Sequence, residues 1–358
     1  MQLTKIIKKI QLLHSTSTET PTSFELAREI VRSSPGDWKD PNFKILDPAC
    51  GRGTFLLAAL ERLESEGHSR KHIITNMLWG FDINPVQCMI AQKALSLAKN
   101  TKSNIICDDV LTRNFNMKFD VVVGNPPYQK ENSTAKRWTL WEEFVKFSKT
   151  IADTVVMVTP QSITSPGTFD LIKDNATIIN IDVSKHFNVG STFCYWIIDT
   201  TKPSTSTKII TDNGEYQLDL SDVNFLPSII TKETLDLIDS LKTRTPRTWK
   251  RGELHTSNTN LFDANGKYTV MHTNAQTLKS NTEHANKTKI RVAVTLSGYP
   301  TFRVITNGYA SQACFWTECK TLEEAQALAD ECNGEEVQKM LSIFKWSGWN
   351  SKEVIQCL

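Results

Sequence analysis

The chain has no apolar run that approaches the roughly 20 residues of a membrane-spanning helix. It also lacks a secretion signal, because residues 1–10 alternate lysine with isoleucine and contain no apolar stretch followed by a small-residue cleavage site. We expect a short amphipathic helix over these ten residues. The two absences predict a protein that does not enter a membrane and that works in the cytoplasm.

A surplus of charge of one sign is missing too, since 41 lysines and arginines accompany 39 aspartates and glutamates, a formal net charge of +2. The overall balance therefore does not indicate a nucleic-acid partner, and the distribution of charge matters more. The eight cysteines have no repeating spacing, and several lie in apolar segments, which favours buried thiols in a reducing compartment. Cys314 and Cys319 have no matching second pair, so we expect no metal site.

The first half of the chain does contain a regular alternation of short apolar runs and helical patterns. Strands are predicted at 44–47, 78–82, 104–108, 119–124, 154–158, 178–183 and 195–198. Helices are predicted at 54–63, 85–98 and 138–151. Such alternation predicts an α/β fold, in which a parallel sheet carries helices on both faces.

This pattern changes near residue 200. The polar stretch 202–207 is typical of a linker, so we predict one domain over 1–200 and a second over 201–358. The second contains a basic window from Lys242 to Arg303, with eleven lysines and arginines and three acids. Such asymmetry suggests a polyanionic partner, although a solvated lysine-rich surface explains it equally well. Four aromatic residues of this window either stack on bases or are buried: Trp249, Tyr268, Tyr299 and Phe302.

The tetrapeptide Asn125-Pro126-Pro127-Tyr128 directly follows the apolar run 119–124. Two prolines end the strand and prevent a helix from starting. Asn125 and Tyr128 are therefore presented at the carboxyl end of a strand, which is where ligands bind in open α/β sheets. An amide with acceptor and donor groups, together with a flat ring, would hold a planar group that bears an amine.

A turn with two glycines follows the first predicted strand. Asp47 ends that strand, and Gly51 and Gly53 lead into a helix whose first amides are free. The lysine of a Walker loop and the three-glycine dinucleotide fingerprint are both absent. Asp47 would repel a phosphate and would pair with an ammonium group. A tight structural turn explains the same residues.

Acids also end the second and third predicted strands. Asp82 suits a ribose diol, because a carboxylate accepts two hydroxyl hydrogen bonds. Capping of the next helix is the alternative role, but Asn84, immediately before Pro85, is the better cap. The corner at Asp109 and Val110 would bind an adenine amine and pack on its ring, or it is a simple turn.

In this order the four motifs resemble those of the adenine-N6 DNA methyltransferases that use S-adenosylmethionine. The resemblance is to the branch in which the cofactor motif comes first, the catalytic motif next and a target-recognition domain last, and it covers about the first 200 residues. It implies a Rossmann-like doubly wound, mostly parallel sheet with a smaller C-terminal α+β domain. It also implies double-stranded DNA as substrate and a bacterial or phage-infected bacterial cell as the location.

The resemblance further implies a set of cofactor contacts. The residues implied to bind S-adenosylmethionine are Thr20, Pro21, Asp47, Ala49, Gly51, Gly53, Asp82, Ile83, Asp109, Val110 and Pro127. Thr20, Pro21 and the loop after Asp47 would hold the methionine end. Asp82 would bind the ribose, and Ile83 would pack on the adenine.

Four catalytic residues are implied in the same way. The Asn125 side chain and the Pro126 carbonyl would accept the two N6 hydrogens of an adenine flipped out of the duplex, and Tyr128 would stack on it. Phe187 would cover the opposite face of the base, with Phe193 as the other candidate.

Other functions use the same tetrapeptide. A methyltransferase of a protein glutamine amide or of an RNA guanine amine is the nearest alternative, because a planar nitrogen poses the same chemical problem. A catalytically idle DNA-binding relative is an alternative of another class, and the intact acids and Asn125 speak against it. We expect a monomeric, stand-alone modification enzyme, chromosomal or phage-borne, because the residues before Thr20 are too few for a nuclease domain. It would act either alone or with a separate restriction endonuclease.

Overall fold

The computed structural model describes residues 21–95, 101–128, 140–187, 192–236, 247–274, 276–283, 288–346, 349–350, 352–356 and 358. These residues divide into two compact units. The first unit runs to Ile163 and again over Gly167–Asn224, and the second comprises Thr164–Pro166 and Phe225–Leu358. The helix predicted at the start of the chain lies outside the described residues.

The first unit alternates strands with helices. Its strands are β1 (Ile45–Asp47), β2 (Leu78–Asp82), β3 (Asn104–Cys107), β4 (Phe119–Gly124), β5 (Ala152–Pro160), β6 (Ala176–Asn180), β7 (Phe193–Asp199), β8 (Thr207–Thr211) and β9 (Gly214–Leu218). Its helices are α1 (Phe24–Ser33), α2 (Thr54–Ser65), α3 (Arg70–His72, continued by a π-helical turn over Ile73–Met77), α4 (Pro85–Leu95) and α5 (Leu140–Ile151).

All nine strands form one sheet in the order β3-β2-β1-β4-β5-β7-β6-β8-β9. Neighbouring strands from β3 to β5 are parallel, and so are β6 and β8. β7 runs antiparallel to both β5 and β6, and β9 runs antiparallel to β8. The predicted Rossmann-like, mostly parallel sheet is confirmed. Because β1 to β4 are parallel, their carboxyl ends meet at one edge of the sheet.

Two strands of the large sheet lie beyond the predicted domain boundary at residue 200. β8 pairs with β6, and β9 pairs with β8, so both belong to the large sheet. The stretch 202–207, predicted as a linker between domains, therefore leads from β7 to β8 within one sheet, and the first unit ends at Asn224. Serine, threonine and proline are typical of any exposed turn, which is why composition placed the boundary too early.

Helix α1 fixes the residues just before it. The Ser23 hydroxyl accepts a hydrogen bond from the Leu26 amide at 3.2 Å, which caps the helix. The apolar residues of α1 recur at helical spacing and are buried in the core of the first unit. They are Phe24, Leu26, Ala27, Ile30 and Val31.

The second unit contains three small sheets and several helices. Its strands are β10 (Lys250–Arg251), β11 (Tyr268–Met271), β12 (Thr277–Ser280), β13 (Arg291–Thr295), β14 (Phe302–Ile305), β15 (Gly308–Ala310), β16 (Cys314–Glu318), β17 (Lys345–Trp346) and β18 (Trp349–Asn350). The sheet orders are β10-β16-β13-β14, β12-β11-β15 and β17-β18. Its helices among the described residues include α6 (Leu322–Asn333), α7 (Glu335–Ile343) and α8 (Lys352–Ile355), and α6 packs on β13 and β14. This arrangement is α+β, as predicted.

Candidate active site

The turn after β1 is shaped by two glycines with left-handed backbone. Gly51 has a φ of +51° and Gly53 a φ of +82°, values that favour glycine over other residues. Gly53 is also the N-cap residue of α2. The Cys50 amide donates a hydrogen bond to the Phe81 carbonyl at 2.7 Å, which ties the turn to β2. A β-carbon on Gly51 would meet no atom within 4 Å, so the space beside this turn is open.

Asp47, at the carboxyl end of β1, is almost completely buried, with 1% of its surface exposed. One carboxylate oxygen accepts a hydrogen bond from the Ala49 amide at 3.1 Å. Burial removes water from the carboxylate and raises the pKa of Asp47 to about 8, although the Ala49 hydrogen bond opposes the rise. The negative charge of Asp82 raises it further. A buried carboxyl of this kind favours a cationic partner.

Asp82, at the end of β2, binds the glycine turn directly. Its Oδ2 accepts a hydrogen bond from the Gly51 amide at 2.9 Å, and its Oδ1 accepts one from the Asn84 amide at 2.8 Å. Asn84 in turn caps α4, because its side-chain oxygen accepts from the Val86 amide at 2.9 Å. The prediction that Asn84 is the helix cap is confirmed. Asp82 therefore links the ends of β1 and β2.

The residues expected to contact an adenine differ in exposure. Ile83 is 65% exposed, whereas Val110 is 2% exposed. The Asp109 carboxylate accepts a hydrogen bond from the Leu111 amide at 3.0 Å and caps a 3₁₀ turn over Val110–Thr112. Ile83 thus presents apolar surface to a ligand and Val110 presents almost none. Asp109 thus has the role in a turn that the sequence analysis gave as the alternative to binding an adenine amine.

Asn125 directly follows β4, and its amide is held at both ends. The Tyr128 hydroxyl donates a hydrogen bond to Asn125 Oδ1 at 2.6 Å, and Asn125 Nδ2 donates one to Thr22 Oγ1 at 3.1 Å. Burial raises the pKa of the Tyr128 phenol above its ordinary value, so the hydroxyl stays protonated at physiological pH. Of the two prolines between Asn125 and Tyr128, Pro126 is buried and Pro127 is exposed.

Three aromatic rings continue inward from this loop. The Tyr128 ring stacks on Phe193 with 5.3 Å between centroids, and Phe193 contacts Phe187 at 4.6 Å. Phe187 and Phe193 are both buried. A base held between Tyr128 and Phe193 would need about 7 Å, twice the ~3.4 Å spacing of stacked bases. The inner face of Tyr128 is therefore covered by Phe193, and a base would meet the outer face.

The upstream pair expected near the cofactor is only partly described. Thr20 lies outside the described residues, and Pro21 is exposed. The structure instead brings Thr22 to Asn125, a contact that sequence reasoning missed. The sequence shows several residues with hydroxyl groups around Pro21, but it does not indicate which of them contacts the end of β4.

The basic window of the second unit is partly neutralised by its own acids. Arg247 pairs with Glu324 at 3.4 Å, Lys289 with Glu318 at 2.7 Å, and the buried Arg291 with Glu253 at 2.8 Å. Among the described residues, five cations of the window form no ion pair within 4 Å: Lys250, Arg251, Lys267, Lys279 and Arg303. The first four of these are exposed. Lys250 still lies near enough to Glu318 to help lower the pKa of that carboxyl.

The aromatic residues of the same window are mostly structural. Three of them are buried, which is the alternative to base stacking that the sequence analysis gave: Trp249, Tyr268 and Phe302. Tyr299 is 65% exposed. Three of the four therefore serve the core of the second unit. In the part of the chain that the structure describes, no helix is both long enough and apolar enough to cross a membrane.

Comparison with known proteins agrees with this arrangement of strand-end residues. Residues 20–186 match the family model of N-6 DNA methylases. This segment therefore resembles an N-6 DNA methylase domain. It includes the strand-end residues Asp47, Asp82 and Asn125 as well as Tyr128, while Phe187 is the first residue beyond it.

The chain also matches parts of larger proteins. The chain is 33% identical over 93 residues to a type II restriction enzyme and methyltransferase of Heyndrickxia coagulans. It is 34% identical over 95 residues to a type I restriction enzyme methylase subunit of Methanocaldococcus jannaschii. These matches cover 24% and 26% of this chain but 15% and 16% of the two relatives, so the chain spans about a sixth of their length.

The likeness of fold covers more of the chain than residues 20–186. A solved structure of an ATP-dependent type ISP restriction-modification enzyme bound to DNA superposes with a TM-score of 0.59 at 10% identity. The superposition covers 87% of this chain and 35% of that one, which is more than the first unit alone. The second unit therefore shares part of that fold.

Proposed function

We propose that this protein transfers a methyl group from S-adenosylmethionine to the N6 amine of an adenine that is flipped out of duplex DNA. The observation that carries this proposal is the place of the Asn125 amide. It lies at the end of β4, beside the buried Asp47 and the open glycine turn, in the segment that matches the family model of N-6 DNA methylases. An acceptor for an amine and a site for a cationic cofactor thus lie side by side.

The residues at the strand ends fit S-adenosylmethionine. The buried Asp47 suits the ammonium of its methionine end, and the open space beside Gly51 leaves room for that end between Ala49 and Gly53. Asp82 would accept the ribose hydroxyls, and the exposed Ile83 would pack on the adenine. When bound, the cofactor supplies a methyl group on a positively charged sulfur.

The proposal includes further cofactor contacts from residues that flank these strand ends. Pro127 is exposed, as a residue that packs on a ligand would be, and Asp109 keeps one carboxylate oxygen outside its turn. The burial of Val110 argues for a structural role instead. Pro21 directly precedes Thr22, and the Thr22 hydroxyl contacts Asn125.

The chain's own residues would align the amine and need no covalent nucleophile. The Asn125 Oδ1 and the Pro126 carbonyl would accept the two N6 hydrogens, which concentrates electron density on the nitrogen and directs it toward the methyl group. Positive charge develops on that nitrogen, and the two oxygens stabilise it. Holding both reactants in line supplies much of the remaining acceleration. Tyr128 would stack on the base with its outer face. Phe187, which the sequence suggested for the opposite face of the base, lies buried beyond Phe193 on the inner side of Tyr128, so its proposed contact with the base would require these rings to move.

The second unit is proposed to bind the DNA. Four exposed cations that form no ion pair, Lys250, Arg251, Lys267 and Lys279, would contact phosphates. The solved enzyme with the same fold over most of this chain is bound to DNA. One matched relative is named as the methylase subunit of a type I restriction enzyme, which supports a separate restriction endonuclease as a partner. A monomeric state is proposed as well.

A methyl-transfer assay tests the proposal. The protein is incubated with tritiated S-adenosylmethionine and duplex DNA of mixed sequence, and the labelled nucleoside is identified by chromatography. We expect label on N6-methyladenine, and none with the Asn125→Ala variant, which should still bind the cofactor. Label on cytosine, on RNA or on a glutamine-containing peptide, with none on DNA adenine, would refute the proposed substrate. A protein that binds DNA but no cofactor would be an idle relative.

A further inference from the structure

The two ends of the Asn125 amide have opposite hydrogen-bonding characters. Its oxygen accepts hydrogen bonds, whereas its nitrogen donates two. The terminal torsion of asparagine is broad and roughly two-fold, so the backbone alone does not decide which end points where. A half-turn about this torsion would present a donor to an amine, which is itself a donor. Orientation of the amide therefore decides whether Asn125 attracts or repels an amine.

Two hydroxyls of unequal character contact these two ends. The phenol of Tyr128 is a stronger donor and a weaker acceptor than the aliphatic hydroxyl of Thr22, because aromatic conjugation withdraws electrons from its oxygen. The favourable arrangement has the phenol donate to Asn125 Oδ1 and the amide nitrogen donate to Thr22 Oγ1. The structure has this arrangement, at 2.6 and 3.1 Å.

Both hydroxyls are themselves held in place. Thr22 directly precedes Ser23, the cap of α1, and the apolar residues of α1 are buried in the core of the first unit. Tyr128 is fixed by the stacking of its ring on Phe193. The amide therefore lies between two anchored groups, of which one comes from the residue just before α1 and the other from the loop after β4.

We propose that Thr22 is a positioning residue, which keeps the amide of Asn125 in the orientation that presents its oxygen to an amine. The proposal rests on the proposed function for the identity of that amine, the N6 group of adenine. It does not depend on that function for the orientation of the amide. A carbonyl oxygen has two acceptor sites, so the bond from Tyr128 and a bond from an amine are compatible.

Three variants separate positioning from general stability. Thr22→Val keeps the shape of the side chain and removes the acceptor, whereas Thr22→Ser restores it. Thr177→Val is the matched control, because it removes another half-buried threonine hydroxyl of the first unit, which donates to the Ile197 carbonyl at 3.1 Å. Thr22→Ala replaces the valine variant in every measurement should the latter fail to fold.

The kinetic expectation follows from the loss of one neutral hydrogen bond. In Thr22→Val we expect kcat on DNA to fall about 3- to 10-fold, with KM for S-adenosylmethionine and for DNA unchanged within about two-fold. Thr22→Ser and Thr177→Val should keep the kcat of the unaltered protein. An unchanged kcat in Thr22→Val, or an equal fall in Thr177→Val, would overturn the proposal.

A second readout needs neither cofactor nor DNA. The side-chain amide signals of Asn125 are assigned by nitrogen-15 NMR through their loss in Asn125→Asp. They should shift in Thr22→Val and stay in place in Thr22→Ser and Thr177→Val. Signals that do not move in Thr22→Val would overturn the orientation by Thr22, whatever the activity. An unaltered protein without DNA methylation would instead refute the proposed function and leave the NMR result to decide on Thr22.

Discussion

The backbone of Gly124 lies directly against the carboxyl group of Asp47, so that a β-carbon on Gly124 would stand 2.8 Å from Asp47 Oδ1. Asp47 ends β1 and Gly124 ends β4, and these two strands are neighbours in the sheet. Gly124 also immediately precedes Asn125. The residue before the proposed catalytic motif therefore needs to be glycine for a steric reason, and the proposed cofactor site and amine site share a wall.

Replacement of Gly124 by alanine tests this contact. The added carbon cannot be accommodated without moving the buried Asp47, and overpacking of this kind costs about 1–3 kcal/mol. We expect Gly124→Ala to lower the free energy of unfolding by that amount in urea denaturation and to weaken S-adenosylmethionine binding in calorimetry. In a double variant with Asp47→Ala, which shortens the opposing side chain, the two costs should be less than additive. Full additivity would show that the two residues do not press on each other.

The raised pKa of Asp47 makes stability depend on pH. The pKa of Asp47 is about 8 in the folded protein, whereas an aspartate has an ordinary pKa of 3.8. The folded state therefore keeps a proton that the unfolded state loses as the pH rises above about 4. The stabilising contribution is therefore complete below about pH 4 and is lost as the pH rises toward 8, by at most about 1.4 kcal/mol per pH unit. Unfolding free energies measured at several pH values should fall over this window, and Asp47→Asn should flatten the decline. An equally steep decline in Asp47→Asn would assign it to other groups.

Phe193 is expected to support the ring of Tyr128. It is 1% exposed and contacts both Tyr128 and Phe187, so Phe193→Leu loses an aromatic pair while it keeps most of the volume. We expect the free energy of unfolding to fall by about 1 kcal/mol and base binding to weaken. Fluorescence of 2-aminopurine at the target position measures the flipped state. Phe187→Leu is the companion variant: a larger fluorescence change there than in Phe193→Leu would make Phe187 the aromatic contact of the base.

The exposed cations of the second unit should set the salt dependence of DNA binding. Each phosphate contact contributes about 0.9 to the slope of log affinity against log salt concentration. Glutamine at Lys250, Arg251, Lys267 and Lys279 together is expected to reduce that slope by up to about 3.6, as measured by fluorescence anisotropy. Lys289→Gln is the matched control, because Lys289 is paired with Glu318 at 2.7 Å. An equal loss of slope in the control would show that the DNA contacts are not limited to exposed cations that form no ion pair.

The strand ends were predictable because hydrophobic runs and the prolines or acids after them are local signals. The sequence thus indicated the strand that ends before Asn125, the acids at Asp47 and Asp82, and Asn84 as the cap of α4. Contacts between distant residues were not predictable in this way. The bond from Asn125 to Thr22 joins residues 103 positions apart, and nothing in the local pattern distinguishes Thr22 from its neighbours.

Packing and charge were harder to predict than strands. An acid at a strand end indicates a ligand and a turn equally well, and the burial of Val110 beside Asp109 became visible only when the chain was folded. Eleven cations in the basic window suggested a partner, yet at least three of them are matched by acids, two of which lie outside the window, at Glu318 and Glu324.

The reversed direction of β7 has a consequence for how the protein could be re-engineered. Because β7 is antiparallel to β5, its first residue, Phe193, pairs with the last residue of β5, Pro160. Both ends of the connection between these two residues therefore lie at the same rim of the sheet, and the connection includes β6. Segments of it outside β6 can be lengthened, shortened or exchanged while β5, β6 and β7 stay paired. Libraries that vary this connection, on a constant sheet, are the natural place to look for enzymes that accept a different base.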